Sequence, residues 1–227
     1  MTASDAGDTT YTDGKAYAYT TKLPLGVHSY YFHTTDTTRD AVSSVLQTGP
    51  AVSGTLLADD FEDGNADGWT PTSGTWTVLS GKYAGQAGSG NSFSMAGDAA
   101  WTDYTLQAAV SVTNNSGGNK DAGLLFRYAD SNNYCVLYLK NNDRTGRKLE
   151  LVKSIGGVKT TLGYANPSVA ADTFYAYKIV ASGANISVYQ NGVLQFAVTD
   201  SSLASGRIGA RVYANTKAFF DNVSVTR

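Results

Sequence analysis

The sequence predicts an all-β fold of antiparallel strands, and three observations predict it. Glycine (24), tyrosine (15), threonine, serine, asparagine and valine are abundant, glutamate occurs only at Glu62 and Glu150, and good helix formers never cluster at helical spacing. Strand-length apolar segments recur with turn signals between them, which is the pattern of a sandwich or a barrel. Tyr104–Val112 alternates cleanly, with Tyr104, Leu106, Ala108, Val110 and Val112 on one face and Thr105, Gln107, Ala109 and Ser111 on the other. One face of that strand must rest on a core.

Residues 1–52 read as a partial module. Lys15–Leu23 alternates Tyr17, Tyr19 and Thr21 against smaller partners, and Pro24-Leu-Gly26 turns into a second strand, Val27–His33. Two strands cannot bury a core alone, so this piece is the tail of a truncated module or a patch docked on the larger domain. Thr48–Gly54 is a natural boundary, because Gly and Pro break pairing and the small polar residues leave little to bury. The second domain, residues 53–227, follows it. Its expected strands are Leu56–Phe61, Gly74–Leu79, Tyr104–Val112, Gly123–Tyr128, Tyr134–Lys140, Lys148–Lys153, Phe174–Ala181, Ile186–Gln190, Val193–Val198, Arg207–Tyr213 and Ala218–Val225. Asn191-Gly192 is a two-residue hairpin turn that favours φ > 0 at both positions.

Composition also narrows the partners. A formal charge of −2 and a pI near 5.6 give no global positive field, so neither nucleic acid nor a membrane is an expected partner. Cys135 is the only cysteine, and between Tyr134 and Val136 it reads as a small buried hydrophobe. Met1 is followed by a polar stretch with no apolar signal region, and no segment is long enough to cross a bilayer as a helix. Few charges and many Thr, Ser, Asn and Tyr residues resemble the non-catalytic parts of secreted bacterial polysaccharide-degrading enzymes. The expected protein is extracellular and monomeric, with the signal carried by a longer parent.

Asp59-Asp-Phe-Glu-Asp-Gly64, Gly68-Trp69, Gly74-Thr-Trp76, Trp101-Thr-Asp-Tyr-Thr-Leu106, Gly123-Leu-Leu-Phe-Arg-Tyr128, Asp130-Ser-Asn-Asn-Tyr134 and Phe220-Asp-Asn-Val223 form an ordered set. Together they resemble the concanavalin A-like lectin/glucanase superfamily, and within it the laminin-G-like carbohydrate-binding modules of bacterial glycosidases and polysaccharide lyases. Residues 23–52, from Leu-Pro-Leu-Gly-Val-His to Thr-Gly-Pro-Ala-Val, resemble the last strands of immunoglobulin-like spacers in such enzymes. The resemblance implies a jelly-roll β-sandwich preceded by a partial immunoglobulin-like segment. Trp69 and Trp76, beside Gly-rich turns, are expected as core plugs, and Phe61 and Phe220 are expected to join the first and last strands.

Acidic residues gather where those two strands would lie together. Hard oxygen ligands suit Ca²⁺, and the resemblance carries Asp60, Glu62 and Asp221 over as candidate ligands of a structural calcium. Asp-Gly and Asp-Asn turns account for the same residues without a metal. Zinc is not expected, because Cys135 is alone and His28 and His33 lie outside the large domain.

In the family resembled, glycans bind on the concave sheet or at a loop edge. Parity selects the residues for such a face. Burying Cys135, Leu137 and Leu139 turns Tyr134, Val136, Tyr138 and Lys140 to the other side. Burying Phe126 aims Arg127 the same way. Burying Leu149 and Leu151 exposes Glu150, and burying Ile208, Ala210 and Val212 exposes Arg211 and Tyr213. Asp130 and Asn132, in the intervening loop, add hydrogen-bonding groups or shape the turn. If the arginines take part, bidentate pairing favours a uronate or another acidic substituent.

Three functions remain in view: a binding module that tethers a parent hydrolase or lyase to polysaccharide, a catalytic domain on the same scaffold, or a structural spacer. The Glu-x-Asp-x-x-Glu strand motif of the laminarinase-like branch is absent, and Glu62 and Glu150 lie on separate elements. The large domain holds no histidine to serve as a lyase base, which leaves a tyrosine, Tyr134 or Tyr138 with Arg127, as the alternative. The binding module is the expectation.

Overall fold

The computed structural model describes residues 54–113 and 121–227, and within the first 53 residues Thr21, Leu23 and six short strands. The chain divides into two compact units, residues 1–54 and 55–227. In the first, β1 (Thr2–Ala3) pairs with β2 (Tyr17–Ala18), β3 (Gly26–Tyr30) with β6 (Gln47–Val52), and β4 (His33–Thr35) with β5 (Asp40–Val42), all antiparallel. The side chains of His28 and His33 lie outside the described residues.

The second unit is a sandwich of two antiparallel sheets, and no helix occurs among its described residues. One sheet runs β19 (Val193–Thr199), β18 (Asn185–Gln190), β17 (Tyr175–Ser182), β12 (Tyr104–Val112), β21 (Lys217–Thr226), β10 (Tyr83–Gln86) and β9 (Thr75–Val78), with β7 (Thr55–Asp59) also on β21. The other runs β16 (Val158–Ala165), β15 (Leu149–Ile155), β14 (Asn133–Lys140), β13 (Asp121–Asp130), β20 (Arg207–Tyr213), β11 (Asn91–Ala96) and β8 (Thr70–Pro71). Sequence reading places β12 and β20 with their bounds and most others within two or three residues. It misses β8, β10, β11 and β16: β11 carries Ser92 and Ser94 at its centre, and β16 is an edge strand whose Lys159, Thr160 and Thr161 are exposed.

The core lies between the sheets. Leu124, Phe126, Cys135, Leu137, Leu139, Leu149, Leu151, Ile208, Ala210 and Val212 meet Leu106, Val110, Ile179, Val188, Phe220 and Val225, all buried. Burial of each large aliphatic side chain contributes about 2 kcal/mol, which fixes the facing of every strand that supplies one. First and last strands pair, Asp59 opposite Val223. Phe61 and Phe220 are linked through intervening rings: Tyr83 stacks on Phe61 at 5.2 Å and on Trp76 at 5.1 Å, and Trp76 lies 6.0 Å from Phe220. Trp69 is a core plug as expected, whereas Trp76 is half-buried against the core, and their indole N–H groups donate to Asp59 Oδ2 and Ser73 O.

Arg127 departs from the parity expectation. Strand β13 slips register between Leu125 and Tyr128 against β20, and between Phe126 and Asp130 against β14. Arg127 sits at that irregularity with φ of 47°, so its side chain turns away from the face that strict alternation assigns to it. It is 1% exposed, and its guanidinium donates to Leu203 O at 2.9 Å and Gly183 O at 2.6 Å. The Tyr104 hydroxyl accepts the Arg127 backbone N–H at 2.8 Å. Arg127 is therefore a cross-tie holding two loops, not part of a binding surface.

Arg127→Ala is expected to cost about 3 kcal/mol, because it opens a cavity where a buried side chain was and takes the guanidinium donor from the Leu203 and Gly183 carbonyls. A denaturant midpoint equal to wild type would contradict the cross-tie. Cys135 is fully buried, and burial pushes its thiol pKa up to about 12. The folded chain should leave a thiol reagent unreacted at pH 8, with one thiol per chain appearing on denaturation.

Candidate functional site

Because β13, β14, β15 and β20 each commit alternate residues to the core, their remaining side chains share the opposite face of the seven-stranded sheet. Cross-strand register arranges them in two rows. Phe93, Arg211, Gly123, Tyr138, Glu150 and Tyr164 run side by side from β11 to β16. Beside that row lie Asn91, Tyr213, Asp121 and Lys140. The structure thus brings Tyr134, Tyr138, Glu150, Arg211 and Tyr213 onto one face and leaves Arg127 off it.

The face is a packed layer rather than an open one. Tyr134 and Arg211 are each 3% exposed, and Tyr138 and Glu150 each 7%. Phe93, Met95, Leu125, Tyr134, Val136, Tyr138 and Val152 form a second apolar cluster there, with Tyr128 against it. Tyr128 stacks on Tyr134 at 6.1 Å, and Phe93 meets Tyr134 edge-on at 5.6 Å. The expectation that burying the apolar partners exposes Glu150 and Arg211 is corrected: they and Tyr134 and Tyr138 are themselves buried by this mutual cover, and Tyr213 is half-buried. Asn91 is exposed, and Asp121 and Lys140 are half-buried too.

Arg211 is held on four sides. Its Nε donates to Asn91 Oδ1 at 2.8 Å, and its guanidinium lies 4.4 Å from the Tyr138 ring and 5.0 Å from the Tyr213 ring. Its Nη1 is 3.1 Å from Asp121 Oδ1, yet neither atom makes a hydrogen bond, so this is an ion pair without aligned geometry. Gly123 makes the arrangement possible. A Cβ there would stand 3.0 Å from Leu137 O and Val136 Cγ2 and 3.6 Å from Arg211 Cδ. Burial raises the Asp121 carboxyl pKa, against the lowering pull of Arg211 and Lys140.

Glu150 is held differently. It accepts from Lys140, from Thr161 Oγ1 at 2.7 Å and from Arg147 Nη1 at 3.4 Å. Burial acts to raise its pKa, but the Lys140 and Thr161 hydrogen bonds and the two cations outweigh it and lower the carboxyl below its ordinary value. Arg147 also lies 4.7 Å over the ring of Tyr164, which is 54% exposed on the edge strand. Asp121, Asn91, Gly123 and Arg147 are additions to the expected set. Extending the β13 alternation by two residues reaches Asp121, whereas nothing in the sequence marks Asn91 as a strand residue.

Asp130 and Asn132 serve the turn. The Asn133 side-chain amide donates to Asp130 Oδ2 at 2.9 Å, and Asp130 Oδ1 accepts from Asn132 N at 2.7 Å and Asn133 N at 3.0 Å; these bonds, the amide's first, hold its carboxyl below the usual range. Among the described residues no three acidic, His or Cys side chains group as a metal site. Asp60 caps the backbone of Glu62, the Glu62 carboxylate lies against Gly81, and Asp221 accepts from Asn222 N and faces Lys82 at 3.7 Å. Asx bonds engage Asp59, Asp60 and Asp63 of the acidic run.

Comparison with known proteins places the chain. Residues 57–226 match the 3-keto-alpha-glucoside-1,2-lyase-like domain. Over 153 residues the chain is 33% identical to an extracellular exo-alpha-L-arabinofuranosidase of Streptomyces chartreusis, covering 66% of this chain and 18% of that protein. The chain therefore spans less than a fifth of that relative's length. Two solved structures share its fold. The carbohydrate-binding module CBM66 of Bacillus subtilis is 23% identical with a TM-score of 0.62, covering 70% of this chain and 96% of that one. A beta-glucanase of Bacillus licheniformis is 13% identical with a TM-score of 0.57, covering 77% and 98%. The chain belongs to the 3-keto-alpha-glucoside-1,2-lyase-like domain family, a carbohydrate-related module on a jelly-roll sandwich.

Proposed function

We propose that this chain is a non-catalytic, extracellular carbohydrate-binding module that tethers a polysaccharide-degrading parent enzyme to its substrate. The observation that carries the reading is the Asn91, Tyr213, Asp121 and Lys140 row beside the Arg211–Tyr138 stack. It puts amide, hydroxyl, carboxylate and ammonium groups next to aromatic rings, which suits a ligand with hydroxyl edges and C–H faces. Held by pairing and stacking, these groups lose little freedom on binding. A relative named as a glycosidase, of which the chain spans 18%, is consistent with an accessory role. Tethering raises the local substrate concentration seen by a linked active site, without new chemistry.

A catalytic reading has one observation in its favour. Asp121 and Glu150 share a face while their pKa values move apart, one raised and one lowered, as an acid and its partner carboxylate would. No third group on the face is a histidine.

Affinity electrophoresis of the full chain against a polysaccharide panel should show retardation on at least one glycan, with no new reducing ends and no unsaturated product. Tyr138→Ala should abolish the retardation. Gly123→Ala, which pushes the β13 backbone off its neighbours, should weaken it at least fivefold. Product formation would establish the catalytic reading, and neither retardation nor product would leave a structural spacer.

A further inference from the structure

We infer that Arg207, Tyr128 and Lys159 form a row of contacts at the other end of this face, and that the row takes an acidic oligosaccharide, one carrying uronate carboxylates. This rests on the reading of the face as glycan-binding and names its ligand class. Arg207 on β20 lies directly opposite Tyr128 on β13. Ser154 on β15 lies opposite both Tyr134 on β14 and Lys159 on β16. Because Ile208 enters the core, Arg207 points to the outer side with Arg211, and direct register puts Lys159 on the same side as Tyr134.

Exposure and freedom separate these two cations from the others on the sheet. Arg207 and Lys159 are exposed, and among the described residues neither makes an ion pair. Lys140, Arg147 and Arg211 each face a carboxylate. Between the free pair stands Tyr128, half-buried, stacked on Tyr134 at 6.1 Å and edge-on to Phe93 at 6.3 Å. The buried rings fix its orientation and leave part of it in water, a platform for the C–H face of a sugar that loses little freedom on binding.

Charge sets the ligand class. A solvated cation on each side of an aromatic platform favours carboxylates, and the guanidinium of Arg207 can hold one through two parallel N–H donors. The nearby Asp130 carboxylate is committed to its turn, since both its oxygens accept from the Asn133 side chain and Oδ1 also takes Asn132 N and Asn133 N. Four strand spacings, about 19 Å, separate β20 from β16. A monosaccharide reaches one cation, and an oligosaccharide reaches both.

Isothermal titration of the full chain with oligogalacturonate and oligoglucuronate, and with a cello-oligosaccharide of equal length, tests this. The wild type should bind an acidic probe about tenfold more tightly than the neutral one in low salt, and the margin should shrink in high salt because the cations are exposed. Arg207→Gln and Lys159→Gln should each weaken acidic binding about fivefold at an unchanged melting temperature, and the double variant more. Lys178→Gln, which removes one positive charge from the other sheet, should bind as wild type. If Arg207→Gln melts lower, Lys159→Gln alone decides. Equal affinity for acidic and neutral probes, or wild-type acidic affinity in a folded Lys159→Gln, overturns the acidic row while the module reading stands. No binding to any probe, with no retardation on any polysaccharide, overturns both.

Discussion

The inter-sheet core is the constraint from which the rest follows. Leu137, Leu139, Ile208, Ala210 and Val212 are withdrawn from water almost completely, and with a period of two this decides where Tyr138 and Arg211 must point. A one-residue slip of β14 would exchange Cys135, Leu137 and Leu139 for Tyr134, Val136 and Tyr138 and place a charged neighbour row against the core. The apolar face is thus the positioning device for the polar one.

The second face solves a problem that the first creates. Arginine and glutamate near the centre of a sheet lose water and need partners. Arg211 finds two rings, an amide and a carboxylate, and Glu150 finds Lys140, Thr161 and Arg147. The pairing holds Arg211 and Glu150 in fixed positions on the face.

Most of the fold was readable because alternation in β12, β14 and β20 is unbroken and each supplies large apolar residues to one side. The same rule placed Tyr138, Glu150, Arg211 and Tyr213 together. It failed at Arg127, where a register shift and a left-handed backbone turn the side chain around, because alternation carries no signal for a bulge at a non-glycine residue. Asn91 was hidden by a strand whose buried members include serines, a composition that reads as loop. The calcium expectation came from the seam of the first and last strands and from the family resemblance, and at that seam Asp59, Asp60 and Asp63 each accept from a local backbone N–H.

The other sheet, which contains β12 and β21, has an outer side of its own. Its outer side carries Lys178 over Tyr189 and Lys217 over Phe219, with alanines at 109 and 176 between. It also carries a cross-strand polar row, Ser224, Gln107, Lys178 and Tyr189. A crystal structure of the chain with a retained oligosaccharide is the most direct measurement. Ligand density on the face that carries the rows from Asn91 to Lys140 and from Arg207 to Lys159 is the predicted result. Density confined to the outer side of the other sheet would contradict it.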